Sequence, residues 1–125
     1  MYVICAGVHV VGPDFRRYPG LDAETAVDML ALAYKHALCE IAEAPGKHQA
    51  KVNSVLLLPV SCGDFADQFS DQMADITFQA IANAFAALSS DTRTAIMSIK
   101  SIHVCISLRD QAKDFRSAKA RLLQR

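Results

Sequence analysis

Three apolar stretches rich in β-branched residues, 2–11, 52–60 and 99–106, are each followed by a longer segment whose apolar positions recur at three- and four-residue steps. A strand buried on both faces reads as a near-continuous apolar run, and a parallel neighbour is reached only through a long crossover, usually a helix. The alternation therefore predicts βα units: an α/β fold in three layers, α/β/α, around a mainly parallel sheet. At 125 residues the chain has room for one domain of this kind, spanning 1–125, and not for two.

The first stretch ends at Gly12-Pro13, because proline cannot donate to a ladder, and Asp14-Phe15-Arg16-Arg17-Tyr18-Pro19-Gly20 reads as a loop. Asp22 is placed to cap a helix with Val27, Leu30, Ala31, Tyr34, Leu38 and Ile41 along one face, which Pro45-Gly46 is expected to stop. The second stretch runs into Ser61-Cys62-Gly63-Asp64 and then a helix with Phe69, Met73, Ile76, Ala80, Ala84 and Leu88 in a register regular for five turns. Ser89-Ser90-Asp91-Thr92 breaks that pattern. After the third stretch a basic amphipathic helix is predicted over 110–123, with Lys113, Arg116, Lys119, Arg121 and Arg125 in or after it as a solvated face.

Apolar residues make up 52% of the chain, while thirteen basic and thirteen acidic side chains cancel. No block of like charge stands out, so the electrostatic footprint of a nucleic-acid binder is missing. The longest apolar runs fall far below the ~18 residues that cross a bilayer, and the start lacks a signal-peptide pattern, so a soluble, unsecreted protein without membrane contact is expected. Cys5, Cys39, Cys62 and Cys105 are widely spaced, without a C-x-x-C pair, which fits reduced thiols of an intracellular protein, cytoplasmic or nuclear.

Ligands of open α/β sheets gather beyond the carboxyl ends of the strands, which directs attention to the loops after Val11, Val60 and Ser107. The middle loop, Ser61-Cys62-Gly63-Asp64-Phe65-Ala66, joins a strand directly to a helix start. Its successive N–H groups are suited to cradle an anion, with Gly63 free to take a positive φ and the helix dipole adding to the attraction. The plainer reading is a tight turn at Gly63 with Asp64 or Ser61 capping the helix. Cys62 at this elbow also invites a nucleophile reading, since a helix N-terminus lowers a thiol pKa. A cysteine-phosphatase loop, however, wants arginine where Gln68 stands, and a lipase-type elbow wants glycine where Val60 stands.

His9 and Cys5 share strand parity, as do His103 and Cys105, but His9, His36, His48 and His103 lack a companion at metal-ligand spacing, and no metal is expected. Neither G-x-x-x-x-G-K-[ST] nor G-x-G-x-x-G occurs, and no cofactor is expected.

Taken together, two segments resemble the macro domains, which bind ADP-ribose and in several branches hydrolyse ADP-ribosyl bonds. Val3-Ile4-Cys5-Ala6-Gly7-Val8-His9-Val10-Val11-Gly12-Pro13 is similar to the family's "V-I-H-x-V-G-P" strand and turn. Leu58-Pro59-Val60-Ser61-Cys62-Gly63-Asp64-Phe65-Ala66 is similar to its "P-x-[IV]-S-[TS]-G-x-[FY]-G" loop, and the segment 34–44 resembles the helix between them. The resemblance implies that Ser61, Cys62, Gly63, Asp64, Phe65 and Ala66, with Gly12 and Pro13, surround the diphosphate of ADP-ribose. The N–H groups of Cys62, Gly63, Asp64 and Phe65 would receive phosphate oxygens and the Phe65 ring would pack on the distal ribose.

Asp64 stands where the family has an aliphatic residue, and the resemblance covers only the C-terminal two-thirds of a macro domain. The family's adenine-reading aspartate, its asparagine near the distal ribose and its first phosphate loop have no counterpart here. The expectation is a truncated macro-like domain that binds ADP-ribose, or an ADP-ribosylated protein, weakly and without catalysis, and that pairs its open sheet with a second copy or a complementing chain. The alternatives are a non-catalytic, oligomerising interaction module of flavodoxin-like type and a Cys62-dependent hydrolase of ADP-ribosyl bonds.

Overall fold

The computed structural model describes residues 7–48, 51–104 and 109–124. It is a mixed α/β structure dominated by helices. In chain order these are a short 3₁₀ turn (Phe15–Arg17), α1 (Ala23–His48), β1 (Ser54–Leu57), a 3₁₀ segment (Asp64–Gln72), α2 (Met73–Ala86), α3 (Ser90–Met97), β2 (Ser101–Val104) and α4 (Arg109–Leu123).

The β1 and β2 strands are parallel neighbours, in register from Ser54 opposite Ser101 to Leu57 opposite Val104. They form the predicted βα unit, with the 3₁₀ segment, α2 and α3 as the crossover. Leu57 and Val104, which share one face, pack against the helices, whereas Leu56 on the other face is 70% exposed and Leu58 nearly as open. Among the described residues the helices therefore cover one side of the sheet.

Helix α1 begins where Asp22 accepts the Thr25 N–H at 2.7 Å, and Leu30, Tyr34 and Leu38 are buried along its predicted face. These meet Phe69, Met73, Ile76, Ala80, Ala84 and Leu88, all buried as their spacing requires. Helix α2 lies between α1 and α4, and on the α4 side Phe78 and Phe115 stand edge to face with centroids 5.6 Å apart. The basic helix places Lys113, Arg116, Lys119 and Arg121 in solvent, as predicted, and Arg121 pairs with Asp75 of α2 at 2.7 Å. Both partners of that pair are exposed, so it contributes little.

Three local expectations are corrected and a fourth is refined. Residues 7–11 form no strand, and Val11 is 87% exposed; the rest of the first stretch lies outside the described residues. A strand exists only where a neighbour takes its hydrogen bonds, and here the apolar run reaches Gly12 without one among the described residues. Helix α1 passes through Pro45 to His48, because a proline in the last turn forfeits a single ladder bond. The five-turn helix after Gly63 is instead a 3₁₀ segment broken at Asp67, with α2 starting at Met73. The Ser89-Ser90-Asp91-Thr92 break is the start of α3: the Ser89 hydroxyl accepts the Thr92 N–H at 3.2 Å as an N-cap.

Candidate functional site

Gly12 and Pro13 meet Val60 and Ser61 at the carboxyl end of β1. The Ser61 hydroxyl donates to the Pro13 carbonyl at 2.7 Å, across 48 residues of chain. A methyl group on Gly12 would collide with the Val60 side chain and the Ser61 hydroxyl, so close approach of backbone dictates glycine there. The structure thus brings together the two separate segments singled out in the sequence.

The left-handed residue of this turn is Ser61, with φ of 61°, and not Gly63, whose φ is −93°. A non-glycine residue at positive φ costs on the order of 1 kcal/mol or more, and the bond to Pro13 offsets part of that. Gly63 has open space around its Cα and precedes the 3₁₀ segment without any side-chain cap. Neither Ser61 nor Asp64 caps: the Ser61 hydroxyl is spent on Pro13, and Asp64 is exposed in the first turn. Because the helical turn behind Gly63 breaks at Asp67, the anticipated long dipole does not stand behind this loop.

Below the loop, Tyr34 of α1 fixes its backbone. The Val60 N–H donates to the Tyr34 phenol at 2.9 Å, and the fully buried Thr77 of α2 lies close enough to act on the same phenol. Burial pushes the Tyr34 pKa up to about 12. Because the folded pKa lies above the unfolded value of 10.0, the folded chain holds the proton longer. Stability is therefore full below pH 10 and falls as pH rises toward 12, on the order of 1 kcal/mol per pH unit. Tyr34→Phe is expected to flatten this alkaline limb in pH-dependent urea unfolding, while costing about 1–3 kcal/mol at neutral pH by orphaning the Val60 N–H.

Cys62 sits beside the same network. Its thiol donates to the Val60 carbonyl at 3.5 Å and lies 3.7 Å from the Thr77 hydroxyl. Burial pushes the thiol pKa up, with Thr77 opposing in part. This is the opposite of what the nucleophile reading of Cys62 requires, and the thiol serves here as a packing group.

The outer rim is built by the 3₁₀ turn after Pro13. Phe15 is fully buried, edge-on to Phe69 with centroids 5.1 Å apart. Asp14 accepts from the Arg16 backbone and from two nitrogens of its guanidinium, at 2.9 Å each for the latter, and that contact holds the Asp14 carboxyl below its ordinary range. The guanidinium also lies 5.2 Å from the Phe65 ring centroid, within the field of Asp64 and Asp67. Gln68 closes the rim by donating to the Tyr18 carbonyl at 3.0 Å. Ala66 is buried, and its N–H donates to the Gly63 carbonyl at 3.0 Å. The N–H groups of Gly63, Asp64 and Phe65, at the start of the 3₁₀ segment, find no acceptor among the described residues.

Asp67 carries the second strained backbone, with φ of 45° and ψ of −116°. Asp67→Gly is expected to raise the urea midpoint by about 1 kcal/mol of stability, because glycine adopts that conformation without a Cβ clash.

Sequence reasoning identified the 61–66 loop but passed over Phe15, Arg16 and Tyr34 as parts of the same site. An aromatic residue inside the polar run D-F-R-R was the available signal, since compact loops pack on their own side chains. Among the described residues no cluster of histidine, cysteine and carboxylate side chains is arranged to hold a metal ion, and no helix is long and apolar enough to cross a membrane. Cys5 and Cys105 lie outside the described residues. No protein-family model matches the chain, and no curated protein or solved structure is significantly similar to it.

Proposed function

We propose that the chain is a non-catalytic, macro-like binding module that holds ADP-ribose, or a related nucleoside diphosphate, weakly at the junction of Gly12 and Pro13 with Ser61, Cys62, Gly63, Asp64, Phe65 and Ala66. The observation that carries this reading is the Ser61-to-Pro13 hydrogen bond, which joins the two segments with macro-domain resemblance into one turn. The N–H groups of Gly63, Asp64 and Phe65, without an acceptor among the described residues, are the donors this reading assigns to a diphosphate.

Electrostatics keep the affinity low. Asp14, Asp64 and Asp67 all act on the Arg16 guanidinium, which Asp14 already occupies, while Arg17 adds a second, more distant positive charge beside Asp14. One carboxylate about 4 Å from a phosphate oxygen repels by about 4 kcal/mol at an effective dielectric of about 20. The Phe65 face is taken by Arg16, so a ribose has to displace that contact to stack. The neutral thiol of Cys62 favours binding over hydrolysis.

In a three-layer α/β/α arrangement, the face carrying Leu56 and Leu58 is where a second layer, a second copy or a complementing chain packs. Calorimetric titration with ADP-ribose, ADP and ribose 5-phosphate tests the site. Saturable but weak heat with ADP-ribose and ADP, and none with ribose 5-phosphate, is expected; equal response to all three ligands would remove the diphosphate from the reading.

A further inference from the structure

We propose that the edge of β2 away from β1, unpaired among the described residues, with the groove between it and α4, is a docking site where an extended acidic peptide of a partner protein adds to the sheet as a third strand.

The register fixes which backbone groups are available. The Ser101 N–H donates to the Asn53 carbonyl at 3.3 Å, so Ser101 turns its polar groups toward β1 and, two residues on, so does His103. Ile102 and Val104 then turn their N–H and C=O groups to the opposite edge, where no strand among the described residues takes them. Such a row of alternating donors and acceptors is a template for an added strand.

The space beside that edge has a shape and chemistry of its own. A groove of ≈ 560 Å³ runs along β2, with Phe78 and Phe115 on its floor and Arg116 and Lys119 on its α4 wall. The two cations are three residues apart, on one face of α4, and both are exposed. No carboxylate among the described residues pairs with either, in contrast to Arg121, which Asp75 engages. The net charge of the chain is zero, so this is a local surplus facing a local apolar floor.

An extended peptide satisfies all of these at once. Its backbone pairs with Ile102 and Val104 about 4.8 Å away, while successive side chains alternate between faces. Apolar residues can then meet the two rings while carboxylates meet Arg116 and Lys119. A nucleic-acid backbone would use the cations but leave the strand edge unpaired, and a small anion would do the same.

The test is fluorescence anisotropy with the full chain and a labelled peptide of alternating valine and glutamate, about six residues long. Saturable binding is expected, and loss of binding when alternate peptide nitrogens are methylated so that the edge cannot pair. R116E/K119E, both solvent-exposed positions, is expected to leave circular dichroism unchanged, weaken the glutamate peptide by about tenfold and favour a valine–lysine peptide instead. Equal binding of the methylated peptide, equal binding of the lysine peptide to the unaltered chain, no binding, or a second copy of the chain occupying the groove in sedimentation would each overturn the proposal.

Discussion

Replacing Phe15 by alanine is expected to cost about 3–5 kcal/mol, a large share of the roughly 5–15 kcal/mol that holds a domain together. Phe15 is fully buried although it sits in a three-residue 3₁₀ turn of an otherwise polar loop. Its ring fills the space beside Phe69, in an edge-to-face contact, and the cavity left by truncation cannot be closed by α1 and the 3₁₀ segment without moving both. Val11→Ala, four residues earlier, is expected to change stability by less than about 0.5 kcal/mol because that side chain is 87% exposed. Guanidinium unfolding of both variants separates the two positions. A large loss at Val11 with a small one at Phe15 would place the apolar run in the core and contradict the architecture described above.

Gly12→Val is the second large effect. A Cβ at this position overlaps the Val60 side chain and the Ser61 hydroxyl, so the substitution has to push the 12–13 segment off the end of β1. Overpacking of this kind costs about 1–3 kcal/mol, to which loss of the Ser61-to-Pro13 bond adds about 1 kcal/mol. The proposed nucleotide binding should vanish with it, since the proposed anion site needs the two segments in contact. Gly63→Ala is the contrasting substitution: open space surrounds Gly63, so a collision of this kind does not arise there. Thermal unfolding in the presence and absence of ADP-ribose reads both effects.

The contrast between those two glycines shows where the sequence was legible. Periodicity located what depends on one face of one element: the α1 stripe through Leu30, Tyr34 and Leu38, the Asp22 cap, the α2 face through Ile76, Ala80 and Ala84, and the solvated cations of α4. It also placed β1 and β2 inside the predicted apolar runs, though each strand is only four residues long. Strand length depends on partners, and apolar content alone could not say that residues 7–11 would lack one among the described residues.

At the site, the prior that glycine takes the left-handed conformation pointed to Gly63. The tertiary bond from Ser61 to Pro13 moved that conformation to Ser61, a displacement no local propensity encodes. The Tyr34, Val60 and Thr77 network joins three elements far apart in sequence, and its members read singly as ordinary core residues. The Ser89 cap was read only as a break in the pattern, although a serine three residues before Thr92 and ahead of an acidic first turn is a helix-start signal.

The most direct test of the proposed binding site is an amide-detected NMR titration of the full chain with ADP-ribose. Chemical-shift changes centred on Gly12, Ser61, Cys62, Gly63, Asp64, Phe65 and Ala66 are expected, with a dissociation constant on the order of 1 mM, equivalent to about −4 kcal/mol. Shifts confined to other elements, or low-micromolar binding despite three surrounding carboxylates, would contradict it.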